Sequence, residues 1–255
     1  MGAPLYSRPV LLGTTNPAKL RELRALLADF PGRLLSPRDI GTPPDIDETG
    51  ATFEENAILK ARAYSAWSGL PTLADDGGLE IDVLAGEPGV RSRRWIDGCE
   101  ADDAELIAFA LDRMAGIPPE RRGARMRVVE ALCLPPPGIT PTAGAGPAAA
   151  PATSSDDEIS RFARLSVPAI GSGEIRGRIA EIASVAIDRG FPFRSIFIVD
   201  RFEKPYVDLT PAEHAAVVHR ADALVPIRRA LGLPDRVVRP RTAVRGGVPS
   251  RLDEA

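Results

Sequence analysis

The stretch Leu73-Ala74-Asp75-Asp76-Gly77-Gly78-Leu79-Glu80-Ile81-Asp82-Val83-Leu84 decides how this chain is read. Apolar Leu70, Leu73 and Ala74 lead into two adjacent carboxylates. Two glycines follow, and then Leu79, Ile81 and Val83 alternate with Glu80 and Asp82. The pattern predicts a strand, a tight turn at the glycines and a second strand. Neighbouring strand residues point to opposite faces, so Asp75 and Asp76 share one task only if the backbone bends between them, which glycine permits. Two close carboxylates raise each other's pKa unless a cation sits between them, and a hard divalent metal takes oxygen ligands. On these residues alone, a hairpin turn with solvated acids explains the stretch as well.

Composition narrows the setting. A chain of 255 residues holds one large domain or two lobes around one core. Its 44% hydrophobic and 26% charged content is that of a globular protein, and a net charge of -3 argues against a broad nucleic-acid surface. No apolar run reaches the ~18 residues of a membrane span. The start, Met1 to Arg8, has no signal-peptide pattern. Cys99 and Cys133 form neither a metal spacing nor a disulfide framework. These features predict a cytoplasmic protein that engages neither nucleic acid nor membrane.

Working outward, Pro9-Val10-Leu11-Leu12-Gly13-Thr14-Thr15 reads as a buried strand, with Asn16 as N-cap and Pro17 as first residue of a helix. A strand running into a helix N-terminus presents free N–H groups to an anion, and Lys19 adds charge. Thr52 and Glu55 fit a capping box at the start of a helix over 53–68. Thr52, Asn56 and Lys60 share one face of that helix. The loop at 86–95 carries Ser92 and three arginines. A helix is predicted over 102–114 and a strand over 125–134. The Pro/Ala-rich tract at 135–155 predicts a flexible insertion within one domain of residues 1–232. Strands are predicted near 159–167 and 173–187, an aromatic-opened strand over 191–199, and a helix from Thr210 kinked at Pro226. Residues 233–255 read as a loose tail.

Four motifs together resemble the inosine triphosphate pyrophosphatase family. They are Thr14-Thr15-Asn16-Pro17-Ala18-Lys19, Glu48-Thr49-Gly50-Ala51-Thr52-Phe53-Glu54-Glu55-Asn56-Ala57-Ile58-Leu59-Lys60-Ala61, Ala74-Asp75-Asp76-Gly77-Gly78-Leu79 and Pro88-Gly89-Val90-Arg91-Ser92-Arg93. The resemblance is close over residues 9–98 and thinner to 232. It implies a two-lobed α/β fold on a long mixed sheet, with the active site in the cleft between lobes, and a homodimer. It also implies Mg²⁺-dependent cleavage of noncanonical purine nucleoside triphosphates (ITP, dITP, XTP) to the monophosphate and pyrophosphate. Carried over, Glu55 and Asp75 bind metal, Asp76 activates water and Lys60 neutralises phosphate. Thr14, Asn16 and Lys19 hold phosphate, Gly77, Ser92 and Arg93 lie beside the nucleotide, and His219 and Arg220 contact the purine.

Three departures from the family pattern stand out, two of them in the second half. Gly77 stands where the family has Ser, Arg194 where it has Asp beside the base-stacking Phe191, and His214 where it has Lys. The acids are kept while the base contacts are rebuilt. Two alternatives therefore accompany the family reading: the same scaffold acting on another nucleotide, and a nucleotide-binding homologue without turnover.

Overall fold

A computed structural model describes residues 8–135 and 166–235. In chain order, β1 (Val10–Leu12) leads to α1 (Pro17–Leu26) and β2 (Leu34–Leu35). Then α2 (Phe53–Ser68) precedes β3 (Thr72–Ile81), and α3 (Asp103–Arg113) precedes β4 (Gly123–Leu134). β5 (Ser166–Ile179), β6 (Phe197–Val199), β7 (Lys204–Pro205), α4 (Pro211–Val217) and α5 (His219–Ala230) complete the fold. The strands form one seven-stranded mixed sheet in the order β2-β1-β3-β4-β5-β6-β7. β1 is parallel to β2 and β3, and the later pairings are antiparallel. Among the described residues no helix is long and apolar enough to cross a membrane.

Side-chain alternation along β3 sorts the helices onto two faces. Leu73 packs with Val10 and Leu12 against Leu23 and Leu26 of α1 and Leu224 and Ile227 of α5. Ala74 packs with Val129 and Ala131 against Phe53, Ala57 and Ala61 of α2. A separate cluster at the far end of the long strands joins Leu79, Ile81, Met126 and Phe197 to Leu106, Ile107 and Ala110 of α3.

The cleft between these clusters begins where β1 ends. Leu12 pairs with Leu73, and the Gly13 N–H donates to the Leu73 carbonyl at 2.7 Å. Beyond that point, among the described residues, no strand continues along that edge of β3. The next cover is the Ser92 hydroxyl, which accepts from the Leu79 N–H at 3.1 Å. Residues 75–78 therefore lie on a bare edge, and a ligand beside it reaches side chains from both faces of the strand.

The predicted turn at Gly77-Gly78 is absent: β3 runs straight through both glycines. They are needed for close approach instead of bending. A Cβ on Gly77 would lie 2.4 Å from the Arg127 carbonyl oxygen, and one on Gly78 would lie 2.0 Å from Ser92 Oγ. The strand predicted to reach 187 ends at Ile179, and the strand expected over 191–199 is a short 3-10 helix at Pro192–Ser195 followed by β6. The last helix breaks at Val218, between α4 and α5, and α5 is helical through Pro226. The insertion expected at 135–155 lies, apart from Pro135, outside the described residues. So do most of the strand expected at 159–167 and, from residue 236, the tail.

Candidate active site

A cavity of about 780 Å³ opens at the bare edge of β3. Its wall takes Thr14, Asn16 and Lys19 from the β1–α1 turn, Lys60 from α2, and Asp75, Asp76, Gly77 and Gly78 from β3. It also takes Phe191 and Arg194 from the loop before β6, and His219 and Arg220 from α5. Eleven of the residues expected at the site therefore line one cleft together with Ser92 and Arg93, although they are spread over 207 positions of the chain, from Thr14 to Arg220.

Asp75 points to the α1/α5 face and is fully buried. Lys19 Nζ lies 2.8 Å from its carboxylate and the Arg220 guanidinium 3.1 Å. Burial opposes its charge, but Arg220 and Lys19 together overcome it and hold the carboxyl well below the usual range. Directly across on β4 stands Glu130, also fully buried and bonded to Arg220. Burial pushes the Glu130 carboxyl up against the pull of Arg220, and the neighbouring Asp75 charge adds to the rise. The Arg220 Nε donates to Glu22 of α1 at 3.2 Å. Glu22 in turn accepts from Arg194 at 3.1 Å.

Asp76 points to the α2 face. Its Oδ1 accepts from Lys60 Nζ at 3.0 Å and its Oδ2 from Asn56 Nδ2 at 3.1 Å. The Asn56 amide is oriented because its own oxygen accepts the Gly50 N–H at 2.7 Å. Lys60 also meets Glu48 at 3.3 Å, so two carboxylates converge on one ammonium. Burial raises the Asp76 pKa above that of a free carboxyl, and the pull of Lys60 does not reverse it. Burial disfavours the charge of Lys60, but Asp76 and Glu48 hold its pKa up.

The far end of the cleft is aromatic and cationic. The Arg194 guanidinium lies 3.6 Å from the Phe191 ring centroid and 4.7 Å from that of Tyr206. It is tied to Asp188 at 2.8 Å as well as to Glu22. Burial drives the His219 pKa down to about 3, so the imidazole is neutral, and its Nδ1 has no partner among the described residues.

Several expectations take a different form. The Ala18 and Lys19 N–H groups, expected to face an anion, are taken by Asn16 Oδ1 at 2.8 and 3.4 Å. Asn16 Nδ2 meanwhile ties the α1 start to the Gly190 carbonyl at 3.1 Å. Ser92 staples its loop, donating to the Gly89 carbonyl at 2.6 Å while accepting from β3. Arg93 is paired with Asp103 at 2.6 Å. His214 stacks edge-on against Tyr206, with 5.0 Å between centroids, and does not line the cavity.

Glu55 and Asp75, expected as a metal pair, are not brought together. Glu55 is exposed on α2 with its carboxylate turned back to the Ala51 N–H at 2.7 Å, and Asp75 is sealed on the opposite face. Sequence reading passed over Glu48, Glu22 and Glu130. Glu130 had a signal, as the one acid inside the apolar run 128–134. Glu22 lay on the polar side of a helix and had none.

The carboxylate oxygens of Asp76 and Glu48 fit a magnesium ion. They already share a cation, and Mg²⁺ is held by one or two carboxylates plus substrate phosphate rather than by an all-protein cage. Among the described residues no group of three His, Cys, Asp or Glu side chains forms such a cage.

The sequence model of the Ham1 family matches residues 10–145. A dITP/XTP pyrophosphatase of Symbiobacterium thermophilum is 37% identical over 223 residues, which is 86% of this chain and 93% of the relative. A HAM1 protein from Coxiella burnetii superposes with a TM-score of 0.66 at 31% identity, covering 88% of this chain and 98% of that one. A nucleoside-triphosphatase (dITP/XTP pyrophosphatase) from Mycobacterium abscessus gives 0.58 at 33% identity, with 89% and 99% covered.

Proposed function

The chain belongs to the Ham1 family, and on that premise we propose that it cleaves noncanonical purine nucleoside triphosphates with Mg²⁺, giving the monophosphate and pyrophosphate. It is an enzyme, a hydrolase of phosphoric anhydrides. The observation that carries the finer reading is the arrangement around Asp76. A buried carboxylate with a raised pKa is held between Lys60 and an oriented Asn56, at the edge of a nucleotide-sized cleft.

Asp76 accepts the proton of the water that attacks the α-phosphorus, because a carboxyl raised toward neutrality is a better base than a free one. Lys60 lies against the same carboxylate and neutralises phosphate oxygens as charge moves onto the leaving pyrophosphate. Lys19 and Thr14 flank the phosphates from the β1–α1 turn. Mg²⁺, held by Asp76 and Glu48, would supply charge neutralisation and acidify water. Phe191 stacks on the base, and His219 Nδ1 and Arg220 face the purine. The Glu55–Asp75 metal pair gives way in this reading to Glu48 and Asp76.

The test is pyrophosphate release from ITP, dITP, XTP and the eight standard nucleoside triphosphates, with and without Mg²⁺. Metal-dependent release from ITP, dITP or XTP is expected, and none from any of them overturns the reading. A second reading, a different base preference, rests on Arg194, which lies over Phe191 where a base would stack. Turnover confined to a standard nucleotide would select it. A homodimer belongs to the proposal too. Ile182, Val185 and Ile187, which precede Phe191 in the chain, are each exposed and would be covered by a partner, and light scattering reads the mass directly.

A further inference from the structure

We propose that Arg127 is a further substrate-binding residue, whose guanidinium takes oxygens at the pyrophosphate end of the triphosphate. The inference rests on the reaction proposed above and extends it to a residue in none of the motifs.

In the β3–β4 register Val129 stands opposite Asp76 and Arg127 opposite Gly78. Directly opposed residues of an antiparallel pair share a face. Arg127 therefore leaves the sheet on the Asp76 side, two residues or about 7 Å further along β4, within reach of an arginine side chain. It is half-buried and lines the cavity.

The other cations of that wall are engaged. Lys19, Lys60, Arg93, Arg194 and Arg220 each hold a carboxylate, and Arg94 donates to the Glu48 carbonyl at 3.3 Å. The Arg127 side chain has no hydrogen bond or ion pair among the described residues. Gly78 offers it nothing from β3. Its opposite residue on β5, Glu174, reaches diagonally to Arg125 at 3.0 Å instead.

A half-buried guanidinium without a partner carries a desolvation cost that an anion would offset. The anionic part of the substrate is its triphosphate. The groups assigned to the base, His219 and Arg220, belong to the α5 side, across the sheet from Arg127. A planar guanidinium also suits phosphate oxygens two at a time.

The experiment is calorimetric titration of inorganic pyrophosphate, in magnesium buffer, into wild type, Arg127→Gln and Arg127→Lys, with dITP kinetics and a urea midpoint for each. Arg127→Gln is expected to weaken pyrophosphate by about tenfold or more and to raise KM for dITP similarly, with kcat within about threefold. Arg127→Lys is expected to fall between, because charge survives and the fork does not. Should Arg127→Gln unfold, Arg127→Lys alone decides. An unchanged pyrophosphate affinity in the folded variants overturns the inference, as does a wild type that binds no pyrophosphate. The reaction is judged separately. Wild-type turnover of dITP that ignores Arg127 sinks this contact and leaves the reaction standing. A wild type without turnover, whose pyrophosphate affinity still falls on Arg127→Gln, sinks the reaction and keeps the contact.

Discussion

Asp75 and Asp76 are neighbours in sequence with opposite surroundings. Asp75 enters the α1/α5 face and meets Lys19, Arg220 and, across the strands, Glu130. Asp76 enters the α2 face and meets one ammonium, one amide and open cleft. Both are buried, yet one pKa falls and the other rises. The difference lies in the balance of cations and burial: Arg220 and Lys19, helped by Lys60, outweigh burial at Asp75, whereas Lys60 and Lys19, opposed by Glu48, do not at Asp76. One strand thus makes a permanent anion that anchors the site and, a residue later, a carboxylate suited to accept a proton. A straight backbone is required for this, because a bend would have turned both acids to one face.

The comparison breaks most sharply at Asp76. Asp76→Asn removes the base and is expected to lower turnover by about 10³-fold. Its urea midpoint should hold or rise, since a carboxyl whose pKa is raised by folding is destabilising when charged. Asp75→Asn should behave in the reverse sense. Lys19 and Arg220 lose a buried partner, and breaking such a pair costs about 3 kcal/mol of stability. Glu130 softens the loss, because the Asp75 charge no longer opposes its ionisation. Equal midpoints for the two variants would mean that the faces are alike and the contrast fails.

Much of this was legible in the sequence. Thr52, Asn16, Asp102 and Thr210 cap helices as their residue types require, each accepting the expected backbone N–H. The acidic pair, Lys60 and Lys19 share one cleft because they sit on well-patterned elements, β3, α2 and α1, that pack about one strand edge. The turn at Gly77-Gly78 was misread because glycine signals both bending and close approach, and only the third dimension supplies the Arg127 carbonyl and Ser92 that decide between them. Of the capping box expected at Thr52 and Glu55 only the Thr52 half forms: Thr52 accepts the Glu55 N–H, while the Glu55 carboxylate takes the N–H of Ala51, one residue earlier than the box requires. Glu22 and Glu130 escaped because their partner Arg220 lies on a distant segment, 198 and 90 positions away, whereas Glu48 lies in the loop before α2 and meets Lys60 only once that loop folds back over the helix.

A smaller effect sharpens the same contrast through pH. His219 sits on the Asp75 side, buried and neutral, with its pKa brought down to about 3 from 6.5. Between those values the unfolded chain binds the proton and the native chain does not, so stability is fully present above pH 6.5 and falls as pH falls. From pH 7.5 to pH 5 the loss from this one group is about 2 kcal/mol. His214, also shifted down by burial, adds in the same direction. Glu22, held down to about 2 from 4.5, contributes only below that range. Urea midpoints of wild type and His219→Gln across this window check it: Glu130, its carboxyl pushed up to about 8, gives both proteins an opposite slope, and the wild type should lose about 2 kcal/mol relative to the variant between pH 7.5 and pH 5, whereas parallel profiles would place the proton elsewhere.

The smallest effects belong to Glu55, the acid that sequence places near the metal and the fold places at a helix start. Its Oε2 accepts the Ala51 N–H, and its own N–H donates to Thr52 at 3.1 Å. A glutamine oxygen can accept the same bond. If Glu55 serves only the cap, Glu55→Gln should leave kcat within about threefold and shift stability by well under 1 kcal/mol. Thr52→Ala, which removes the cap oxygen itself, should cost about 1 kcal/mol and leave kcat alone. A metal ligand responds differently. Loss of its charge would weaken Mg²⁺, so half-maximal turnover would need more of the ion, and the effect would exceed that of Thr52→Ala in activity while trailing it in stability. A magnesium titration of the two variants side by side therefore separates the roles. Parallel titrations would leave Glu48 with Asp76 as the carboxylates that converge on Lys60.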